Sequence, residues 1–307
     1  KAGLMLNCSI NQLSRWDRKN YFYPDMAKNY QITQADQPLC LDGFIEVDVN
    51  GTQKRFEIER IHQEENAAKN IHASGASLVD YNRAGTALME IVSHPCMHSA
   101  EDALAYMTSI KQIMQYGGIS SCDQEKGQMR SDVNISVRPI GQKELGSKVE
   151  IKNMNSFAFI QEAIEYEIDR QIAVLESGGS VEQETRGYDS DRGETFVQRS
   201  KEDAHDYRYF PDPDLLPLQL SEDEIAAWRM ELPELPEQRK MRYIELLGLP
   251  EYDASVLTSD KAISDWFEEV LIHTSQAKAV SNFIMGEMMR LLAEKNSEIG
   301  VCQITPI

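Results

Sequence analysis

Two short runs constrain this chain more than any other feature: Arg130-Ser-Asp-Val-Asn-Ile-Ser-Val-Arg138 and Lys148-Val-Glu-Ile-Lys-Asn153. Both alternate apolar and polar residues, the period of a strand with one buried face. Val133, Ile135 and Val137 point one way and Asp132, Asn134, Ser136 and Arg138 the other; Val149 and Ile151 likewise oppose Lys148, Glu150 and Lys152. The link from Pro139 to Gly146 is short and contains Pro and Gly, which predicts an antiparallel hairpin. A symmetric register would set Asp132 almost opposite Glu150. Like charges facing each other across a ladder cost free energy unless a cation lies between them. Carboxylate oxygens with no softer donor nearby favour Mg²⁺, an ion that commonly arrives with the phosphates of a nucleotide.

A second hairpin is predicted where Phe44–Val49 and Lys54–Ile61 flank Asn50-Gly51, a strong tight-turn signal. Ser99, followed by Glu101 and Asp102, starts a helix whose Leu104, Met107, Ile110, Ile113 and Met114 recur at helical spacing up to Gly117-Gly118. Another runs from Ser156 through Ile160, Ile164, Ile168, Ile172 and Leu175 to Gly178-Gly179. Hairpins preceding helices predict an α+β fold with helices packed on an antiparallel sheet. After Pro211-Asp-Pro-Asp-Leu-Leu-Pro217 the strand signals vanish, and 221–231, 236–248, 260–273 and 276–295 read as helices. The expected division is a cradle domain over 1–218 and an all-α domain over 219–307.

The 307 residues suffice for an enzyme of one or two domains, and the net charge of −19 excludes a general polyanion binder. No run approaches the ~18 apolar residues of a membrane span. The five scattered cysteines lack any Cys-x-x-Cys pair, which fits a reducing, cytoplasmic compartment. Phosphate-loop, nucleophile-elbow and zinc-protease signatures are missing from the sequence. The opening Lys1–Asn7 reads as the tail of a helix already under way, and the whole as a segment of something longer.

Other acids stand at or near predicted strand ends: Glu64 and Glu65 after His62, Glu90 within Leu88-Met-Glu-Ile-Val92, and Glu125 in Asp123-Gln-Glu-Lys-Gly127. Singly, each is a weak signal that reads first as a solvated surface group. Glu90 interrupts an apolar run, so it either finds a buried partner or occupies an outward strand position. His62 alone reads as structural. Arg18-Lys19 and Arg199-Ser-Lys201 stand among aromatics, a combination that serves phosphate contact or ordinary packing.

Taken in order, Asp17-Arg-Lys-Asn-Tyr-Phe-Tyr-Pro-Asp25, Tyr30-Gln-Ile-Thr-Gln34, His62-Gln-Glu-Glu65, Asp80-Tyr-Asn-Arg-Ala-Gly85, Glu90-Ile-Val-Ser93, the two alternating strands, Gln183-Glu-Thr-Arg186 and the run Ser200 to Pro211 resemble one family. It is the B subunit of the bacterial aspartyl/glutamyl-tRNA amidotransferase. The resemblance implies a glutamine synthetase-like cradle followed by a helical domain. It implies that Mg·ATP phosphorylates the side-chain carboxylate of Glu mischarged on tRNA-Gln, or of Asp on tRNA-Asn. Ammonia from a partner amidase subunit (A), in a heterotrimer with a small subunit (C), then displaces phosphate.

It places Glu65, Glu90, Asp132 and Glu150 in catalysis, adds Glu125 to them as metal ligands, and makes Arg18, Asn134, Lys152 and Lys201 nucleotide-contact candidates. Departures accompany it: Gln63 precedes the acids, Asn66 and Ala68 replace an Asp and a Gly, and His94 and Lys126 stand where acids are usual. The family's opening Glu-x-His strand and zinc loop would lie before Lys1, and its tRNA-gripping tail beyond Ile307. Two readings stand beside this one: a noncatalytic scaffold that docks amidase and tRNA, and a free-standing ligase for a small acid.

Overall fold

Asn50 and Gly51 both adopt left-handed conformations, φ 54° and 80°, and close the tight turn that their sequence predicts. In the computed structural model of the chain the strands they join are long. The structure describes every residue except 74, 155, 201–205, 296, 298, 302, 303 and 307, and the backbone alone of 72, 73, 153, 199, 200 and 301.

Helix α1 (Ala2–Met5) leads into strands β1 (Ser9–Ile10), β2 (Leu13–Ser14), β3 (Asp17–Asn20), β4 (Tyr30–Thr33), β5 (Cys40–Val49), β6 (Thr52–Glu65), β7 (Lys69–Ala73), β8 (Ala76–Asp80) and β9 (Ala87–Ser93). Then follow α2 (Ala100–Tyr116), β10 (Ser131–Ile135), β11 (Val149–Met154), α3 (Phe157–Glu176), β12 (Glu184–Asp189), β13 (Glu194–Ser200), β14 (Phe210–Pro211) and β15 (Leu218–Gln219). The remainder is helical: α4 (Glu222–Met230), α5 (Pro236–Leu247), α6 (Glu251–Thr258), α7 (Lys261–Leu271), α8 (Ala277–Phe283), a π-helical turn (Ile284–Met288) and α9 (Met289–Lys295). The architecture is thus the expected mixture of helices and sheets.

The chain divides into two compact units. One comprises Lys1, Gly3–Thr108 and Cys122–Met230; the other comprises Ala2, Ser109–Ser121 and Glu231–Ile307, so the division falls within α2 and again after α4. The sequence reading places its boundary near 218, where strand patterning ends.

In the first unit one sheet runs β1-β5-β6-β9, antiparallel throughout. The register of β6 against β9 slips between Ile58 and Arg60. Along β6 the buried apolar residues are Phe56, Ile58 and then Ile61, a step of three where a plain strand steps by two. Without that slip His62 and Glu64 would share the core face of Phe56 and Ile58.

The other large sheet runs β10-β11-β12-β13 and corrects one expectation: β11 and β12 pair in parallel, Glu150 beside Thr185, with α3 as the crossover. Helix α3 buries Ile160, Ala163 and Ile164 in one cluster with Ile151 and Met154, and the half-buried Val133 and Ile135 pack against it. This leaves Asp132, Asn134, Glu150 and Lys152 on the opposite face by alternation. A buried ionic knot lies on the α3 side. Glu167, 0 % exposed, accepts bonds from Arg170 Nε (2.9 Å) and Nη2 (2.6 Å), Gln171 Nε2 (2.9 Å) and Thr195 Oγ1 (2.9 Å), while Arg186 Nε stands 3.6 Å away.

In the second unit Tyr243, Leu257, Phe267, Ile284 and Met288 form the core, with the Tyr243 and Phe267 rings 5.0 Å apart. Gly248 ends α5 in the left-handed conformation, and Asp260 caps α7 by accepting from Ala262 N (2.7 Å) and Ile263 N (3.1 Å). The sequence pattern does not announce α6. Its eight residues follow Pro250 and bury Ala254, Leu257 and Thr258, too short a run to show a stripe.

Candidate functional site

The slip in β6 brings out a histidine and two glutamates together. His62 is directly opposite Glu90 on β9, and Glu64 is two residues further along β6. His62 Nε2 lies 3.4 Å from Glu64 Oε1 and 3.7 Å from Glu90 Oε2. One ligand atom from each of the three falls within 4.8 Å of the others, the one such group among the described residues. The His62 side chain is 5 % exposed, and its Nδ1 has no hydrogen-bond partner among the described residues.

Glu64 is fixed by Thr33 Oγ1 (2.9 Å) and Gln31 Nε2 (3.2 Å), both on β4. Burial pushes its pKa up, but the His62 hydrogen bond, the Lys19 charge and the Thr33 hydroxyl outweigh this and hold it below the ordinary carboxylate value. An imidazole nitrogen beside two carboxylates, one ionised in a half-dry setting, is a donor set that suits a divalent cation.

Neighbouring strand residues face opposite ways, which separates Glu65 from this group. Its carboxylate accepts from Ile32 N (2.9 Å) and pairs with Lys28. Glu125 is exposed in a turn where Lys126 pairs with Asp123 (2.8 Å), and it too stands outside the ligand group. Arg83 Nη2 donates to the Lys126 carbonyl (2.7 Å), and Arg130 Nη2 to Asn66 Oδ1 (3.0 Å), which ties the approach to β10 to the residue after Glu65.

The β10–β11 hairpin forms, with a different register. Val133 faces Ile151 and Asn134 faces Glu150, with a slip between Ser131 and Val133, so Asp132 is not opposite Glu150. The cation between the two acids is Lys152, whose Nζ lies 2.8 Å from Asp132 Oδ2 and 2.9 Å from Glu150 Oε1. The second Glu150 oxygen accepts from Thr185 Oγ1 (3.2 Å). Burial lowers the Lys152 pKa, but the two carboxylates outweigh it and raise it above the ordinary lysine value. Lys152 also borders a cleft of about 170 Å³ lined by Met154, Phe159, Gly187, Tyr188 and Phe196. A Cβ at Gly187 would fall 2.5 Å from Gln198 Nε2 and 2.6 Å from Phe196 Cζ, so glycine lets those side chains cross the strand.

Arg18 is already matched by acid. Its Nε donates to Asp212 (2.7 Å) and its Nη2 to Asp214 (2.9 Å), and the guanidinium lies over the Tyr30 ring at 4.3 Å. It pins the segment after β14 against β3. Lys19 Nζ lies 4.9 Å from the Tyr207 ring centre. Asn134 is exposed, and Lys201 lies outside the described residues. Sequence reasoning misses His62 as a site residue and Lys152 as an internal counter-ion. The spacing His62-x-Glu64 on one strand face is the available signal for the first.

The chain is thus a mixed α+β protein with an imidazole–carboxylate cluster on one sheet and a lysine-bridged acid pair on another. The family is narrower: residues 1–226 match the GatB/GatE catalytic domain, and the chain belongs to that family, the one its ordered motifs resemble. Over 308 residues it is 51 % identical to the B subunit of the aspartyl/glutamyl-tRNA(Asn/Gln) amidotransferase of Thermodesulfovibrio yellowstonii, covering 100 % of this chain and 65 % of that protein. The similarly named protein of Thermoanaerobacter sp. (strain X514) is 50 % identical over 307 residues, again 100 % and 65 %. That of Caldicellulosiruptor saccharolyticus is 52 % identical over 299 residues, 97 % and 62 %. The chain therefore spans about 65 % of the length of such relatives.

Proposed function

We propose that this chain is the carboxylate-activating part of a tRNA-dependent amidotransferase. The substrate is Glu carried by tRNA-Gln, or Asp by tRNA-Asn; ATP phosphorylates its side-chain carboxylate, and ammonia from an amidase subunit (A), in a complex with a small subunit (C), displaces phosphate. The observation that carries this reading is identity near 50 % along the whole chain to proteins whose names state the tRNA specificity and the amidotransferase role. Activation is required because a carboxylate is a poor electrophile.

The β-rich unit is the proposed glutamine synthetase-like cradle. His62, Glu64 and Glu90 would hold Mg²⁺, which supplies charge neutralisation to the phosphates when bound. Thr33 and Gln31 keep Glu64 oriented, and the ordering of Glu65 by Lys28 and Ile32 fixes the end of β6 beside it. No helix among the described residues is long and apolar enough to cross a membrane, and we place the reaction in the cytoplasm with the translation machinery.

The test is a single-turnover reaction with γ-labelled ATP, Glu-tRNA-Gln and ammonium chloride, with and without the amidase partner. Labelled phosphate released only with mischarged tRNA, matched by Gln-tRNA formed, is the expected result. Binding of tRNA and amidase without ATP consumption would instead make the chain a scaffold, and turnover of free glutamate would make it a small-acid ligase.

A further inference from the structure

The family resemblance implies Asp132 and Glu150 as metal ligands, and the geometry disagrees. Their ladder-facing oxygens converge on an ammonium, 2.8 and 2.9 Å away. A divalent ion there would need those oxygens at about 2.1 Å for Mg²⁺, in the volume that Lys152 Nζ fills. The remaining oxygen of Glu150 is turned to Thr185. Lys152 follows Glu150 by two residues on the same strand, so period-two alternation carries acid and ammonium on one face. The slip before Val133 then brings Asp132 within reach of that ammonium instead of opposite Glu150. The His62 group differs: besides His62, Glu64 is hydrogen-bonded by the neutral Thr33 and Gln31.

We infer that Lys152 is the resident cation of the Asp132–Glu150 pair and keeps a divalent ion out of it. The ammonium does for the two acids what a metal would otherwise do, holding them within one side chain's reach on the open face of the β10–β13 sheet. It is a positioning residue at the edge of the cleft floored by Gly187. Its role rests on the reading above only in that a divalent ion is used by this chain at all.

The experiment counts Mn²⁺ bound to the chain, without nucleotide, by the electron paramagnetic resonance signal of the free ion. Asp132→Asn and Glu150→Gln are expected to leave the wild-type stoichiometry unchanged and its Kd within about twofold. Lys152→Met is expected to add one Mn²⁺ site, and Lys152→Met/Asp132→Asn to lose it again, with circular dichroism unchanged in each. Loss of the wild-type Mn²⁺ site in Asp132→Asn or Glu150→Gln would overturn the inference, as would a folded Lys152→Met that gains no site. The single acid variants decide the matter even where the lysine variant does not fold. Absence of tRNA-dependent phosphate release would defeat the functional reading without moving these counts.

Discussion

Replacing Glu167 by Gln probes the ionic knot that fastens α3 to its sheet. The wild-type carboxylate receives bonds from Arg170, Gln171 and Thr195, and stands beside Arg186, whose side chain is 9 % exposed. An amide keeps one acceptor, turns an N–H₂ toward the guanidinium groups and removes the negative charge. Breaking a buried pair by neutralising one member costs about 3–5 kcal/mol. The lower end applies here, because Arg170 is 22 % exposed and turns to water, and Arg186 keeps Glu184 and the Thr195 carbonyl. With an m-value of about 2–3 kcal/mol/M, ~3 kcal/mol moves the urea midpoint of the β-rich unit down by roughly 1–1.5 M.

The pH dependence is a second readout. Burial raises the Glu167 pKa, but its donors outweigh this and lower it overall. A depressed folded-state pKa contributes stability that is complete above the unfolded value of about 4.3 and drains away as pH falls through the folded one. Glu167→Gln is therefore expected to flatten the acid limb below about pH 4.3 while shifting the neutral midpoint. A neutral-pH loss under about 1 kcal/mol, or an acid limb that keeps its wild-type slope, would refute the argument.

Arg18→Met is expected to lower the thermal midpoint and to leave ATP affinity within about threefold, measured by scanning calorimetry and titration; intact stability with lost ATP affinity would make Arg18 a phosphate ligand after all. Gly43→Ala would place a Cβ 2.7 Å from the Leu6 carbonyl oxygen and 2.3 Å from Cys8 Sγ, and is expected to cost about 2 kcal/mol in urea unfolding, since a backbone atom is slow to yield. Asp260→Ala removes the cap of α7 and is expected to cost about 1 kcal/mol, read from the unfolding of the helical unit, with no effect on Mn²⁺ binding.

Patterns that repeat along the chain are legible; patterns set by pairing are not. Asn50-Gly51 and the apolar stripes of α2 and α3 announce their elements because the cause is local. The parallel pairing of β11 with β12 is not local: α3 has the same stripe wherever the next strand lands. The acids of the hairpin are visible, but the slip between Ser131 and Val133 that decides their partner carries no composition of its own. Glu64 and Glu65 are indistinguishable in the sequence until the phase of β6 is known. Lys152 reads in the sequence as reaching for a ligand's phosphate, whereas its nearest anions lie on its own hairpin.

The irregularity near residue 59 has a consequence for how the molecule tolerates change. Strand β6 behaves as two words written in different reading frames: Phe56 and Ile58 belong to the frame that builds the interior, His62 and Glu64 to the frame that presents chemistry. Straightening the strand without changing its length would merge the frames. It would turn the histidine inward and offer Glu65 in place of Glu64, with every side chain still present. The bulge between Ile58 and Ile61, more than the identity of the residues there, is the feature that the site requires to be kept.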